Sequence, residues 1–268
     1  MPEEILNSAP LFLLVAARCA GLIFTLPLFS MRTVSRTAKI ALVGYMAFFL
    51  LGNADYSVYK SVITEDGTFD MYYILLLAGE AMIGVIMGFY VQIIFAAFST
   101  AAQFFAFQMG FSAASAYDAL SQVENPLMGQ FFNLVAMLIF IHAGWFQKLF
   151  LTGLSKSFEA LNVFGLVNYQ KNIVTFLLKG LTNLFADAII IALPIMGTLV
   201  LITICTGLLS KAAPQMNLLS EGFPIMILLA FGLIIILFGD IVNFFGKAFN
   251  TGLSDLFMLF DNIGNGGS

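Results

Sequence analysis

Long apolar runs separated by short polar stretches organise this chain. The runs are rich in Leu, Ile, Val and Phe, and they cover residues 9–30, 40–51, 71–108, 127–154, 173–209 and 223–249. An apolar run of about 18 residues or more is typical of a helix that crosses a membrane. The pattern therefore predicts an all-α chain of polytopic hydrophobic helices, with the second helix starting near Ser35.

Two of the runs are longer than one membrane crossing requires. At about 1.5 Å per residue, a helix over residues 71–108 extends roughly 57 Å, nearly twice the ~30 Å hydrocarbon core. The run 173–209 is similarly long, and its Pro194 predicts a kink between Ile190 and Pro194 because proline removes a helical hydrogen bond. These lengths predict long broken helices, or helices that project out of the bilayer into protein.

Composition agrees with a membrane protein. Of the 268 residues, 60% are hydrophobic and 10% are charged, whereas soluble domains carry about 25% charged residues. No linker or fixed-period repeat interrupts the pattern, so we predict one all-helical domain over residues 1–268, with a disordered tail over about 264–268. The net charge is −4 and no run of Lys or Arg occurs, so nucleic acid is not expected as a partner.

Residue types that carry catalysis or bind metals are scarce. His142 is the single histidine, and it has no Cys or carboxylate at ligand spacing. Cys19 and Cys205 both lie inside apolar runs, as buried small hydrophobic residues do. No nucleophile motif, phosphate-binding loop or pair of carboxylates is visible. We therefore expect no catalytic residue, no metal site, no cofactor and no enzymatic activity.

Glu80, Gly84 and Gly88 recur every four residues, so they share one face of the helix predicted over 71–108. Gly84 and Gly88 form a GxxxG pair, which lets another helix backbone approach closely. A carboxylate in hydrocarbon is costly unless it is paired or solvated, so Glu80 should point at protein or water. We favour a hydrogen bond or ion pair at an assembly seam, with Arg18 or Lys39 as the partner. The alternative is a proton or ion site.

Residues 103–126 differ from the apolar runs on either side, because small and polar side chains dominate them. Gly110 permits backbone angles closed to other residues, and Ser- and Ala-rich segments reorder easily. Non-helical backbone at membrane depth survives only inside protein or beside a water-filled cavity. Loop 110–118 is therefore a candidate gate, or else an ordinary surface connector. The gate residues that we assign are Met109, Gly110, Phe111, Ser112, Ala113, Ala114 and Ser115.

The most specific wording in the chain is the turn over residues 210–224, SKAAPQMNLLSEGFP. Proline ends or redirects a helix, and Gln and Asn side chains can satisfy the backbone groups that the break frees. This turn resembles the FliR-type export-gate proteins of the flagellar type III secretion apparatus. The matching residues include Pro214, Gln215, Asn217, Gly222 and Pro224.

The family resemblance extends over nearly the whole chain. Residues 108–111 resemble the start of the family's internal plug loop. Further matching positions lie in the first and third apolar runs and just after the fourth. These positions are Arg18, Gly21, Pro27, Gly79, Glu80, Gly84, Gly88, Ser157 and Phe158.

The resemblance implies a non-enzymatic component of an export gate, in the bacterial cytoplasmic membrane at the flagellar basal body. Two smaller hydrophobic partners, of FliP and FliQ type, would complete a helical assembly that forms the entry of the export channel. An export-switch membrane protein of FlhB type would pack nearby. Unfolded flagellar subunits would be the substrates, and loop 110–118 the plug. The alternative is a proton- or ion-coupled secondary transporter for a small molecule, which would use Glu80, Asp187 and the Pro194 kink.

Overall fold

A computed structural model describes residues 2–30, 34–52, 59, 71–110, 127–212 and 222–264. These residues form helices and no strand, so the predicted all-α class is confirmed. The helices are α1 (Pro2–Thr25), α2 (Pro27–Ser30), α3 (Arg36–Leu51), α4 (Met71–Gln108), α5 (Leu127–His142), α6 (Trp145–Gln147), α7 (Leu154–Ala160), α8 (Val163–Asn168), α9 (Gln170–Ala212) and α10 (Phe223–Gly264), with a π-helical segment over Lys148–Gly153.

The first apolar run forms two helices. α1 ends at Thr25, and α2 begins at Pro27, because the fixed φ and missing N–H of proline suit the first position of a helix. α3 begins at Arg36, close to the predicted start. There the hydroxyl of Ser35 accepts a hydrogen bond from the backbone N–H of Ala38 at 3.2 Å and caps the helix. α3 packs along α1.

The third run forms one unbroken helix, α4, with 38 residues from Met71 to Gln108. Its bounds are the predicted ones, and of the two explanations for its length the broken helix is wrong. The most apolar part of α4 is 56% buried by its own chain, compared with 28% for α9 and 17% for α10. α4 is therefore enclosed by the chain far more than the two other long helices.

The fourth run does not form the single helix predicted over 127–154. α5 ends at His142, and the chain bends by 72° before the next helical stretch, Trp145–Ala160. Gly144 makes this bend possible, because its φ of 71° lies in the left-handed region that side chains disfavour. The prediction was wrong because neither Ala143 nor Gly144 interrupts the hydrophobic pattern.

The last two helices exceed the predicted runs. α9 has 43 residues and continues through Pro194, and α10 has 42 residues and ends at Gly264 instead of Phe249. Polar residues after Phe249 obscure the helical pattern in the sequence, although Leu253 and Leu256 keep one buried face there. The kink before Pro194 stays a prediction.

Contacts group the chain into two compact units, each built from separated segments. Unit 1 combines Met1–Ile93, Gly144–Gly180 and Asn250–Ser268, and unit 2 combines Ile94–Ala143 and Leu181–Phe249. The prediction of a single domain stays a prediction, and the last part of the predicted tail, residues 265–268, lies outside the described residues. A cluster of Ile83, Leu161, Ile173 and Ile263 lies in the core of unit 1. Phenylalanine rings in mutual contact fill unit 2, among them Phe95, Phe98, Phe140, Phe245 and Phe249.

Three of the described helical segments are long and apolar enough to cross a membrane. They are Met71–Gln108, Gln170–Leu209 and Pro224–Gly264. The bent pair Leu127–His142 and Trp145–Ala160 adds a fourth if it is counted as one span. Length and composition thus agree with a polytopic membrane protein.

Candidate functional site

A fully buried ion pair joins α1 and α4 inside unit 1. Arg18 on α1 donates from Nε to Oε2 of Glu80 on α4 at 2.6 Å, and from Nη2 to Oε1 at 2.9 Å. Both side chains are 0% exposed. Two parallel charge-assisted hydrogen bonds fix the guanidinium and the carboxylate in one relative orientation. Of the two partners that the sequence offers for Glu80, Arg18 is the one that contacts it.

Arg18 also holds the turn between α7 and α8. Its Nη1 donates to Oγ of Ser157 at 3.0 Å, and its Nη2 donates to the backbone carbonyl of Leu161 at 2.8 Å. The guanidinium carbon lies 3.9 Å from the centroid of the Phe158 ring, in a cation–π contact. The backbone is extended at Leu161, where α7 has ended, so this carbonyl has no helical partner. Arg18 therefore links α1 to α4 and to the turn between α7 and α8.

Tyr59 gives the carboxylate a third hydrogen bond. Its hydroxyl donates to Oε1 of Glu80, and it accepts the backbone N–H of Val163 with 3.2 Å between oxygen and nitrogen. Burial raises the pKa of the Tyr59 phenol above its ordinary value, and the negative charge of Glu80 raises that pKa further. Sequence reasoning missed Tyr59, because residues 52–70 have the polar and acidic composition of a connecting loop. Aromatic residues within that stretch were the only signal.

Three glycines allow the close approach of α1 and α4 that the ion pair needs. A methyl group added at Gly84 would collide with the backbone carbonyl of Arg18, and one added at Gly21 would collide with the backbone of α4. At Gly88 an added methyl group would collide with the side chain of Thr25. The GxxxG pair therefore admits a helix of the same chain. A role of this face in assembly with other proteins stays a prediction.

The chemistry of this cluster is suited to holding helices together. Arg18 and Glu80 carry charges of opposite sign, and each oxygen of the Glu80 carboxylate accepts at least one hydrogen bond. Both oxygens of this carboxylate are therefore engaged in contacts within the chain. In the described part of the chain, no group of three His, Cys, Asp or Glu side chains could hold a metal ion. The absence of a cofactor and of enzymatic activity stays a prediction.

The candidate gate begins where α4 ends, in unit 2. Met109 is fully buried, and its N–H bonds to the carbonyl of Phe105 at 2.9 Å. Gly110 has a φ of 85°, which lies in the left-handed region that glycine adopts readily at helix ends. The gate assignment stays a prediction, because the remaining gate residues lie outside the described residues. These are Phe111, Ser112, Ala113, Ala114 and Ser115.

Part of the signature turn lies at the start of α10. Gly222 is buried directly before the helix, and Pro224 lies in its first turn, where proline removes no helical hydrogen bond. The other signature residues, Pro214, Gln215 and Asn217, lie outside the described residues.

The parts of α9 and α10 in unit 2 present broad apolar faces to the surroundings. Leu228 and Ile236 on α10 are 73% and 77% exposed. A methyl group added at Gly197 on α9, or at Gly232 on α10, would meet no described atom within 4 Å. An apolar groove of about 460 Å³ lies between α5 and α10, lined by Met128, Phe131, Phe231, Ile234, Ile235 and Phe238. Exposed apolar surfaces of this extent mark contacts with protein or membrane.

Comparison with known proteins finds similar sequences along most of the chain. Residues 9–252 match the family model described as bacterial export proteins, family 1. Over 240 residues the chain is 29% identical to the flagellar biosynthetic protein FliR of Bacillus subtilis (strain 168), which covers 87% of this chain and 88% of that protein.

Two further relatives have similar coverage. The chain is 32% identical over 205 residues to the flagellar biosynthetic protein FliR of Borreliella burgdorferi, which covers 74% of this chain and 73% of that protein. It is 29% identical over 220 residues to the surface presentation of antigens protein SpaR of Shigella flexneri, which covers 82% of this chain and 81% of that protein. The matched region of the family model includes residues of both compact units.

Proposed function

This chain belongs to the bacterial export proteins, family 1, and we propose that it is the FliR-type component of a flagellar protein export gate. The family resemblance drawn from the sequence is confirmed, and the chain is a component of a type III export apparatus. Its helices have the apolar character of a membrane protein. In the proposal it resides in the bacterial cytoplasmic membrane, at the flagellar basal body.

The observation that carries the proposal is the uncovered apolar surface of α9 and α10. A glycine inside a helix lowers helix stability by about 1 kcal/mol relative to alanine. Gly197 and Gly232 gain no close contact in return from the described part of the chain. Helices of other proteins, packed closely against these glycines, would supply that contact.

Two smaller hydrophobic proteins, of FliP and FliQ type, are the proposed partners on this surface. Together with the chain they form the entry of a channel through which unfolded flagellar subunits are secreted. An export-switch protein of FlhB type packs nearby. Export of an unfolded chain needs a passage and a gate rather than a catalytic site.

Co-purification tests this proposal. The tagged chain, extracted from its native membrane in mild detergent, should bring down two smaller hydrophobic proteins in a fixed ratio. Without them it should aggregate, because the apolar faces of α9 and α10 would be left uncovered. A secondary transporter would instead purify alone as a monodisperse particle. That result would contradict the proposal.

The described contacts of Glu80 do not favour the transporter alternative. Such a protein would use Glu80 as its coupling site, whereas both oxygens of that carboxylate already accept hydrogen bonds from Arg18 and Tyr59. Asp187, the other carboxylate that a transporter would use, lies on α9 and is only half-buried. We therefore do not propose transport of a small molecule.

The loop that follows α4, residues 110–118, is the proposed plug of the channel at rest. Gly110 supplies a backbone conformation that releases the chain from the helix. Met109 and Phe111 supply apolar groups that could close a constriction, since apolar side chains can shut a pore by excluding water. Residues 112–116 are all Ser or Ala, and short side chains leave a moving segment little packing to lose.

Deleting residues 110–116 should leave the complex assembled but make the membrane leak small solutes. The measurement is solute leakage in cells that express the partners with either the deleted or the intact chain. Recovery of the complex is measured in both strains, so that loss of assembly is not mistaken for opening. An assembled deletion complex that stays as tight as the intact one would return this loop to an ordinary connector.

A further inference from the structure

The outer face of α3 begins with two cations. Arg36, at the first position of the helix, is exposed, and Lys39 follows one turn later. The Lys39 ammonium lies 5.9 Å from the centroid of the Phe24 ring on α1, at the outer limit of a cation–π contact. This contact holds the positive charge beside an aromatic ring that is itself exposed.

An apolar strip continues from these cations along the same face. Ile40 is 63% exposed and Phe48 is 74% exposed. Gly44 lies between them, and a methyl group added there would meet no described atom within 4 Å. Positions 36, 40, 44 and 48 are four residues apart, so they follow one side of the helix for roughly 18 Å. That length is close to half of the ~30 Å hydrocarbon core.

In the part of the chain that the structure describes, the cations have no negative partner. α2, α3 and residues 9–25 of α1 contain no Asp or Glu. Arg18 on α1 is buried and paired with Glu80, and Arg32 lies outside the described residues. Glu3 and Glu4 belong to the opposite end of α1, about 30 Å from Phe24 along the helix axis. Among the described residues no ion pair involves Arg36 or Lys39.

We propose that this face of α3 binds one anionic phospholipid. The headgroup phosphate accepts hydrogen bonds from Arg36 and Lys39, and an acyl chain lies along Ile40, Gly44 and Phe48. Two cations without an ion-pair partner among the described residues, at one end of an exposed apolar strip, match a molecule with an anionic head and an apolar tail. A partner helix would match the strip, but it would have to bring its own carboxylates to the cations. The inference requires only that the chain resides in a membrane, so it can fail while the export-gate proposal stands.

The experiment compares lipid binding by native mass spectrometry on the full chain as it is extracted from its membrane, together with any proteins that remain bound to it. Phosphatidylglycerol and phosphatidylcholine are titrated separately onto the intact chain and onto the double variant R36Q/K39Q. The intact chain should bind phosphatidylglycerol about tenfold more tightly, because each cation near an anionic headgroup contributes to affinity. In R36Q/K39Q the two affinities should agree within about twofold, while a variant Gly44→Phe should weaken binding of both lipids.

The matched control is K148Q/K171Q, which removes two exposed cations elsewhere and should keep the selectivity of the intact chain. Three results would overturn the proposal. The first is an intact chain that shows no preference for phosphatidylglycerol over phosphatidylcholine. The second is R36Q/K39Q keeping that preference. The third is K148Q/K171Q losing the preference as fully as R36Q/K39Q does. A fourth result would assign α3 to a protein partner instead. In that case R36Q/K39Q reduces co-purification of the partner proteins and leaves lipid binding unchanged.

Discussion

Replacing Glu80 by glutamine is expected to lower the free energy of unfolding by about 3–5 kcal/mol, because breaking a buried ion pair leaves one charge uncompensated. Glutamine has nearly the same shape and can still accept a hydrogen bond. However, the guanidinium of Arg18, which is 0% exposed, would stay charged with no counter-charge. The sequence alone suggests a mild effect, since the hydrogen-bonding role survives. The full burial of Arg18 reverses that expectation. The measurement is a denaturant titration of the chain in lipid bicelles, where lipid covers the apolar faces of α9 and α10 and prevents aggregation.

The exposed pair of Lys156 and Asp261 provides the control. Their side chains are 35% and 54% exposed, so Lys156→Gln should change stability by less than about 1 kcal/mol. Adding Arg18→Met to Glu80→Gln should recover part of the loss, because the unpaired charge is removed. Equal losses of unfolding free energy for Glu80→Gln and Lys156→Gln would show that burial does not set the strength of the ion pair between Arg18 and Glu80.

Replacing Gly84 by leucine is expected to force α1 away from α4 and to lower the free energy of unfolding by about 3 kcal/mol or more. The first carbon of the new side chain would collide with the backbone carbonyl of Arg18, which cannot move aside as a flexible side chain could. The same displacement would pull Arg18 away from Glu80. The loss is measured by the same denaturant titration, together with recovery of the complex from cells.

Gly197→Leu is the matched control, because it adds the same side chain at a helical glycine with open space beside it. The free energy of unfolding of the isolated chain should then change by no more than about 0.5 kcal/mol. Recovery of the complex should nevertheless fall if α9 faces a partner. The pair of variants thus separates folding from assembly. Equal stability of Gly84→Leu and Gly197→Leu in the isolated chain would contradict the close packing of α1 on α4.

Helices were predictable where hydrophobic residues alone define them. The continuous apolar run of α4 predicts its bounds, and Ser35 predicts the start of α3 because its hydroxyl can cap the first turn. The bend at Gly144 was not predictable, since a glycine in an apolar run is compatible with an unbroken helix. The last turns of α10 were missed because contacts within unit 1 stabilise a stretch whose surface residues are polar.

The ion pair was only partly predictable. A carboxylate in an apolar helix costs free energy unless it is paired, so the sequence predicts a partner for Glu80. It offers Arg18 and Lys39 as candidates, and only the three-dimensional structure distinguishes between them. The family resemblance singled out Arg18 and the adjacent residues Ser157 and Phe158, which lie far from Arg18 in the chain and contact it in one cluster. Tyr59 was not predictable, because its contacts depend on where a polar connection returns to the helices.

The proposed export-gate role depends most directly on contact between the outer face of α10 and the partner proteins. The most direct measurement places a photo-crosslinking amino acid at Ile236, which is 77% exposed, in cells that contain the whole export apparatus. Tyr45 on α3, which is 68% exposed, is the control position. Illumination should join Ile236 covalently to the smaller hydrophobic gate proteins, while Tyr45 should react mainly with lipid. Lipid adducts alone at Ile236, or the same protein adducts at both positions, would contradict contact between α10 and the partner proteins.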